Sequence, residues 1–190
     1  MANHENFTLE EMISAYSSGY FPMAEPDGEI FWYNPHPRAI IPIETYKPSK
    51  SLKPILNKNL FEIRINQNFK EVIESCSHPR RTEELTWISP YLIELYSEMN
   101  QAGFAHSVEA YQNNELVGGL YGVEVNGLFA GESMFHKETD ASKTAMVYLV
   151  NKLKEAGGER IFDVQWQTPH LKSMGVIKIP RSKYLSLLPE

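Results

Sequence analysis

An aspartate and a glutamine two positions apart, Asp163 and Gln165, are residues whose types and spacing could support chemistry. They lie in residues 160–165, a segment predicted to be a strand, in which alternate side chains point to the same face of a sheet. An acid and an amide on a central strand cost free energy unless they are hydrogen-bonded or face a cleft. The pair therefore predicts either a buried polar contact at a strand end or a carboxylate that is held by an amide in a cleft.

Glu132 is a second candidate, because it is one of few carboxylates in an otherwise apolar segment. A buried carboxylate needs a cation or several hydrogen-bond donors. An arginine side chain would suit it, since the guanidinium group matches a carboxylate in shape and charge. Glu132 therefore predicts either an internal ion pair or a contact with a cationic ligand.

Residues 106–135 contain the elements that must position Glu132, and they are predicted to form three antiparallel strands. Asn113-Asn114 marks the first turn, and Asn126-Gly127 is the strongest short hairpin signal that a sequence can carry. The middle strand contains Gly118-Gly119 and Gly122. Glycine weakens a strand interior, so these residues indicate either a bulge or the close approach of another backbone.

The remaining signals predict a mixed α/β sheet with flanking helices. Thr8 and Glu11 form a capping box for a first helix that ends at Gly19, and residues 20–38 are predicted to be a loop rich in proline and aromatic residues. Asp140 is predicted to cap a helix that returns the chain to the sheet as a parallel, right-handed connection. We expect further strands at 39–44, 61–65, 160–165 and 176–180, helices at 51–56, 68–76, 89–103, 140–154 and 168–175, and a charged loop at 80–86.

The composition is typical of a soluble globular protein. The 190 residues are 42% hydrophobic and 22% charged, with no apolar run near the roughly 20 residues that span a bilayer. The N-terminal segment lacks the pattern of a secretory signal, and the single cysteine, Cys76, cannot form an internal disulfide. We therefore expect a cytoplasmic protein.

The net charge of −6 argues against a broad nucleic-acid-binding surface. It is compatible with a local basic patch that grips one end of an RNA. Candidates are Lys47, Lys50, Lys53 and Lys58, followed later by Arg80-Arg81. Lysines in such a loop are also typical of an ordinary solvated surface.

Ordered motifs along nearly the whole chain resemble those of the bacterial leucyl/phenylalanyl-tRNA–protein transferases. The matching segments are GYFPM (19–23), WYNPHPR (32–38), TWI (86–88), HSVEAY (106–111), LVGGLYGV (116–123), GESMF (131–135), DASKTA (140–145), FDVQ (162–165) and PHLKSMG (169–175). The resemblance implies an enzyme that moves leucine or phenylalanine, and possibly methionine, from charged tRNA to proteins that begin with Arg or Lys, tagging them for degradation. It also implies an acyl-CoA N-acyltransferase-like mixed sheet in residues 49–190, preceded by a smaller N-terminal α/β domain in residues 1–48.

The resemblance also implies roles for the polar candidates. Asp163 would accept the proton of the attacking amine, directly or in a relay, and Gln165 would orient it. Glu132 would lie in the substrate site, where an N-terminal Arg or Lys of the acceptor protein supplies the cation.

For the donor, the resemblance implies an apolar pocket and contacts with the 3′ end of the tRNA. The pocket positions are Leu120, Phe129 and Met134 on the strands and Met146, Leu149 and Leu153 on the following helix. The last three recur at helical spacing, which by itself is more typical of a core. Trp32 and Trp87 could stack on a terminal adenine or serve as core anchors.

Two other functions are open on the residues alone. An N-acetyltransferase of the same fold would bind acetyl-CoA with a glycine-rich loop before the helix, but residues 135–142 contain no glycine and two acidic residues. A non-catalytic binder of protein N-termini would use the same carboxylates without turnover. His106 and His170 have no partners at metal-ligand spacing, so we expect no metal and no cofactor.

Overall fold

The structure, a computed structural model that describes residues 7–78 and 86–188, contains nine strands and seven helices within those ranges. The strands are β1 Phe21–Ala24, β2 Ile30–Tyr33, β3 Arg38–Ile41, β4 Glu62–Ile65, β5 Ala105–Gln112, β6 Glu115–Val125, β7 Leu128–His136, β8 Ile161–Asp163 and β9 Ile177–Ile179. The helices are α1 Leu9–Ser17, α2 Lys53–Asn57, α3 Phe69–Ser77, α4 Pro90–Gln101, α5 Ala141–Ala156, α6 Pro169–Ser173 and α7 Arg181–Leu185. Arg80-Arg81 and all but the end of the charged loop predicted at 80–86 lie outside the described residues.

A seven-stranded mixed sheet in the order β4-β5-β6-β7-β8-β3-β9 organises the chain. The meander β5-β6-β7 is antiparallel, and β8 returns parallel to β7 after α5, as the sequence predicts. Helices α1, α3 and α4 pack with one face of the sheet, and α5 packs with the other. The mixed α/β sheet with flanking helices is therefore confirmed.

The glycines of β6 accompany both a bulge and close packing. Tyr121 is paired with Ser133 and Gly122 with Gly131, so Glu132 is an extra residue on β7. A Cβ atom on Gly122 would lie 2.3 Å from the carbonyl oxygen of Ala130, which leaves no room for a side chain. A bulge re-aims the side chain that it carries. The bulge at Glu132 therefore lies on β7. The bulge predicted for the middle strand is a separate one, since Ala110 pairs with Gly118 and Tyr111 with Leu116, which leaves Val117 as the extra residue on β6.

The helix that follows the meander begins where the sequence predicts, but Asp140 does not cap it with its side chain. Asp140 has φ +67° and no side-chain cap bond. Its carboxylate instead accepts a hydrogen bond from Lys143 Nζ at 2.6 Å. The first residue of the helix, Ala141, packs so closely on β6 that a Cβ atom on Gly118 would lie 2.6 Å from the Ala141 Cβ atom.

Three local predictions need correction. Residues 20–38 are not all loop, because β1 and β2 pair there as a separate two-stranded hairpin. The strand predicted at 39–44 ends at Ile41, since Pro42 has no N–H group to continue a ladder. Helix α7, which follows β9, was not predicted.

β3 joins the beginning of the chain to the large sheet. It pairs with β8 on one side and with β9 on the other, both antiparallel. The boundary between domains after residue 48 stays a prediction, and β3 lies before it.

Candidate active site

Asp163 is the last residue of β8 and is fully buried. Its Oδ1 atom accepts hydrogen bonds from Arg38 Nε at 2.8 Å and from the backbone N–H of Gln165 at 3.0 Å. Its Oδ2 atom accepts from Arg38 Nη2 at 2.5 Å and from the Tyr184 hydroxyl at 3.2 Å. The carboxylate therefore has four donors, two of them from one cationic fork.

Arg38 is the buried cation opposite Asp163, with 1% of its side chain exposed. Its Nη1 atom donates to the backbone carbonyl of Gly19 at 2.9 Å. Its guanidinium group lies 4.9 Å from the centre of the Phe21 ring and 4.4 Å from that of Tyr184. Sequence reasoning missed this residue as part of the site, since its partner lies 125 positions away and no local pattern joins the two.

The sequence predicts that strand alternation brings Gln165 and Asp163 to the same face. This is wrong, because β8 ends at Asp163 and Gln165 lies beyond it. Its φ is +57°, a left-handed conformation that turns the chain. The backbone N–H of Gln165 bonds the Asp163 carboxylate, and its side-chain Nε2 donates to Glu132 Oε1 at 3.2 Å. Gln165 therefore links the two carboxylates, one through its backbone and the other through its amide.

Glu132 projects from the bulge of β7 towards two buried tyrosines. The Tyr16 hydroxyl of α1 donates to Glu132 Oε1 at 2.8 Å, and it lies 2.7 Å from the Tyr96 hydroxyl of α4. The Tyr96 hydroxyl is also 3.4 Å from Glu132 Oε2. Three segments distant in the sequence thus meet at one carboxyl group.

Removal from water raises the pKa of Glu132 to about 8. The Tyr16 hydroxyl opposes this shift by stabilising the charged form, whereas the negative charge of Asp163 adds to it. Burial likewise raises the pKa values of Tyr16 and Tyr96 well above the ordinary range, so both hydroxyls keep their protons and serve as donors.

A pocket of about 460 Å³ opens beside Glu132 and Gln165. Leu120, Met134 and Met146, three of the six residues expected to form an apolar pocket, are among its lining residues. Binding of a donor side chain there stays a prediction. The other lining residues are Gly131, Ser133, Phe162, Val164, Thr168, Pro169, His170 and Leu171. Asp163 is not among the lining residues.

The structure places three further candidates for the pocket in the core. Phe129, Leu149 and Leu153 are buried with α5 and β8, and the Phe129 ring packs edge-on against that of Phe162 at 5.3 Å. Helical spacing keeps residues on one face but moves them about 1.5 Å along the axis per position, so Leu149 and Leu153 lie progressively farther along the helix from Met146. They are not among the lining residues.

The loop after β8 and helix α6 provide the residues that sequence reasoning missed, among them Val164, Thr168 and Leu171. Thr168 was expected only as a helix start, and its hydroxyl does accept from the N–H of Leu171 at 3.1 Å. The signal that could have found this wall is the PHLKSMG motif, which begins at Pro169 directly after Thr168 and contains Leu171.

Trp32 and Trp87 do not line this pocket. Trp32 lies in a different groove of about 870 Å³ on α1, where its ring meets that of Phe7 edge-on at 4.9 Å. Trp87 is partly buried against the core between α1, α3 and α4. Stacking of either indole on a nucleotide stays a prediction.

A third groove of about 700 Å³ shares Met134 and His170 with the pocket. Its wall includes His136 and Lys137 at the end of β7 and His78 after α3. Cationic and potentially cationic side chains therefore border the open side of the pocket.

Residues 7–78 and 86–188 contain neither a metal-binding cluster nor a membrane-spanning helix. Over these ranges, no group of three His, Cys, Asp or Glu side chains is placed to hold a metal ion. No helix in the same part of the chain is long and apolar enough to cross a membrane.

Two family models together match most of the sequence. The model of the leucyl/phenylalanyl-tRNA protein transferase matches residues 40–189, and that of the N-terminal domain of the same transferase matches residues 5–36. The chain belongs to the leucyl/phenylalanyl-tRNA protein transferase family. It is therefore a transferase enzyme, and the resemblance seen in the motifs is confirmed.

Curated relatives of the same family name align with almost their whole length. The leucyl/phenylalanyl-tRNA–protein transferase of Herpetosiphon aurantiacus is 50% identical over 178 residues, which are 93% of this chain and 90% of that protein. That of Chlorobium limicola is 44% identical over 181 residues, covering 95% and 93%. A solved structure of L-PGS from Bacillus licheniformis covers 86% of this chain and 55% of its own at 14% identity and a TM-score of 0.45, a likeness too low to support a conclusion.

Proposed function

We propose that this transferase moves leucine or phenylalanine, with methionine as a further candidate donor, from charged tRNA to the α-amino group of proteins that begin with Arg or Lys. The modification would mark those proteins for degradation in the cytoplasm. The observation that carries the proposal is an apolar pocket that ends at a carboxyl group, with Glu132 and Gln165 beside Leu120, Met134 and Met146. A leucyl or phenylalanyl ester has an apolar side chain and a reactive carbonyl group. The apolar residues of the pocket would hold the side chain, and Glu132 and Gln165 would lie beside the carbonyl group.

The shape of the pocket supports more than one apolar donor. A volume of about 460 Å³ is within the range of small-molecule sites. Methionine is unbranched and flexible, so Met134 and Met146 can adapt to either a branched or an aromatic side chain. Selection against smaller apolar residues would be modest, about 1–3 kcal/mol for each missing methylene.

The surroundings of Glu132 support a cationic acceptor. Its hydrogen-bond partners in the described parts of the chain are two tyrosine hydroxyls and an amide, all neutral. The nearby guanidinium group of Arg38 bonds Asp163 instead. A ligand with a positive charge would therefore complete the electrostatics at Glu132, as the N-terminal Arg or Lys of an acceptor would.

Asp163 at the end of β8 and Gln165 just beyond it would act by positioning. Direct proton acceptance and an indirect part were both predicted for Asp163, and its four hydrogen-bond donors and its burial support the indirect part. Asp163 holds the backbone of Gln165, and the Gln165 amide holds Glu132. The reaction needs little more, because an ester is already activated and an α-amino group with a pKa of about 7.7–8.0 is partly neutral at pH 7.

The 3′ end of the tRNA would enter from the groove that contains His136 and Lys137. This groove is continuous with the pocket through Met134 and His170. Lys137 is exposed there and could meet a phosphate. No coenzyme A is required by the proposal.

Transfer of labelled leucine from charged tRNA to peptides tests this function directly. Four peptides that begin with Arg, Lys, Asp or Ala are offered to the folded protein, with acetyl-CoA in place of charged tRNA as a second donor. We expect transfer from tRNA to the Arg and Lys peptides only. Equal transfer to all four would contradict the acceptor specificity, and acetyl transfer would contradict the choice of donor.

A further inference from the structure

The two oxygens of the Glu132 carboxyl group have unequal surroundings. The Tyr16 hydroxyl donates to Glu132 Oε1 at 2.8 Å, and it shares a 2.7 Å hydrogen bond with the Tyr96 hydroxyl in which either oxygen can be the donor. Gln165 Nε2 reaches the same Oε1 atom at 3.2 Å. Within the described residues, Oε2 accepts one hydrogen bond, a long one of 3.4 Å from the Tyr96 hydroxyl. Glu132 thus has one anchored oxygen and one that a substrate can use.

The titratable groups around Glu132 come from several helices and strands, and most of them are neutral. Tyr16 of α1, Tyr96 of α4 and Tyr121 of β6 are neutral, fully buried phenols. The Asp163 carboxylate is nearby and negative, and Arg38 bonds it in a fork, so the charge of that cation is largely neutralised.

The lining of the pocket contributes one further titratable side chain to this environment. His170 lies in the lining with Glu132, and it contacts the third groove as well. The pKa of Glu132, about 8, is close to that of an α-amino group, about 7.7–8.0. The neutral amine gains positive charge as it bonds to the ester carbonyl carbon, so its N–H becomes acidic enough for a base of this strength to remove.

Building on the proposed function, we propose that Glu132 is the proton shuttle of the transfer. Its Oε2 atom takes a proton from the attacking α-amino group and returns it to the ribose oxygen that leaves. The amine nitrogen forms a bond to the ester carbonyl carbon, and the bond from that carbon to the ribose oxygen breaks. The products are an amide and a free ribose hydroxyl, so Glu132 ends as the carboxylate with which it began.

Asp163 is unsuited to this direct role. It is fully buried, it is not in the pocket lining, and its two oxygens already accept four hydrogen bonds. Glu132 is the carboxyl group among the lining residues of the pocket, and its place on the bulge directs it there. Gln165 and Tyr16 are positioning residues in this scheme, since they fix the Oε1 atom.

Single-turnover transfer at saturating Arg-peptide tests the shuttle with Glu132→Gln. The substitution keeps the shape and removes the base, so we expect the saturated rate to fall about 10²–10⁴-fold. Glu132→Gln also removes the proposed counter-ion of the N-terminal Arg, so a weaker peptide affinity is expected as well; affinity is measured separately by calorimetry, and folding by circular dichroism and melting temperature. Glu115→Gln, at the exposed start of β6, is the matched control and should transfer at the wild-type rate.

The dependence on pH separates the shuttle from a binding role. Between pH 5 and 7, the wild-type log rate should rise with a slope approaching two, because the amine and Glu132 must both lose a proton. In Glu132→Gln the slope should approach one. Tyr16→Phe removes a hydrogen bond that favours the charged carboxylate, so it should move the acid limb to higher pH without changing peptide affinity.

Three results would overturn the shuttle. The first is a saturated rate in Glu132→Gln within a few-fold of that of wild type, and the second is that Glu132→Gln weakens only peptide affinity. The third is that Tyr16→Phe leaves the acid limb of the pH–rate profile at its wild-type position. Failure of the proposed function is distinct, because the wild-type protein would then transfer to no peptide.

Discussion

The two carboxyl groups of the site, Asp163 and Glu132, have opposite surroundings. Asp163 faces a guanidinium group and has donors on both oxygens, whereas Glu132 faces neutral hydroxyls and an amide. A charged partner stabilises a carboxylate, and burial among neutral groups favours the protonated acid. These environments support the roles proposed above, positioning for Asp163 and proton exchange for Glu132.

Removing the Asp163 charge tests the first role. Asp163→Asn leaves Arg38 buried without a counter-ion, so we expect a loss of about 3–5 kcal/mol in the free energy of unfolding. The double variant with Arg38→Met should lose less than the sum of the two single variants, measured by chemical denaturation. Glu155→Gln is the control, since its ion pair with Lys152 is exposed to solvent and should contribute little to stability. Additive single losses would contradict a coupled pair.

The pH dependence of the free energy of unfolding tests the raised pKa of Glu132. The folded-state pKa of Glu132, about 8, exceeds the ordinary value of 4.5, so the folded protein binds one proton more than the unfolded chain between these values. Stability from this residue is therefore lost as pH rises through that window, by about 1.4 kcal/mol per pH unit. Denaturation of wild type and Glu132→Gln at pH 5 to 8 should show a steeper decline for wild type. Parallel curves would contradict the shifted pKa.

Individual residues were predictable where a local pattern marks them. The strand signal at 160–165 identified Asp163 and Gln165 as a pair, and the apolar segment around Glu132 made that carboxylate conspicuous. Arg38 was not predictable as the partner of Asp163, because the pairing arises only when β3 and β8 become neighbours in the sheet. Leu149 and Leu153 share a helix face with Met146 but do not line the pocket. Helical spacing predicts which residues share a face, not how far along the helix a pocket extends.

Among the elements, those bounded by turn and cap residues were the predictable ones. The meander β5-β6-β7 follows from its asparagine turns, and α1 and α4 follow from the caps at Thr8 and Ser89. The β1-β2 hairpin was missed because Pro22 and the adjacent aromatic residues are more typical of a loop. The exact position of the bulge depends on how β6 and β7 register, which glycine spacing indicates only roughly.

Filling the space at Gly122 tests whether the bulge holds Glu132 in place. In Gly122→Ala the new Cβ atom would lie 2.3 Å from the Ala130 carbonyl oxygen and 2.6 Å from the Phe129 ring, so the two strands must separate. We expect a loss of about 3 kcal/mol in stability and a larger relative loss of transfer. Gly28→Ala, whose Cβ meets nothing within 4 Å, should cost about 1–2 kcal/mol from its φ of +87° and spare activity. Equal effects of both substitutions would contradict a packed bulge.

Helices near both ends of the described sequence contact the site. Helix α1 supplies Tyr16 to Glu132, and the Gly19 carbonyl that follows it accepts from Arg38. Helix α7 supplies the Tyr184 hydroxyl to Asp163. Such long-range closure cannot be inferred from periodicity, since α7 is short and its one fully buried residue is Tyr184. The central strands thus carry the site, and the terminal helices fix the orientation of its polar groups.

The net charge of −6 limits how the molecule can hold a tRNA. We expect few phosphate contacts, so a plot of log kcat/KM for charged tRNA against log salt concentration should have a slope of about −1 to −3. Lys137→Ala, in the groove that adjoins the pocket, should make that slope shallower by about 0.7–0.9, the value of one lost phosphate contact. Lys152→Ala, on the outer side of α5 beside Glu155, should leave it unchanged. A slope steeper than about −5 would require an extended basic surface and would contradict recognition confined mainly to the 3′ end.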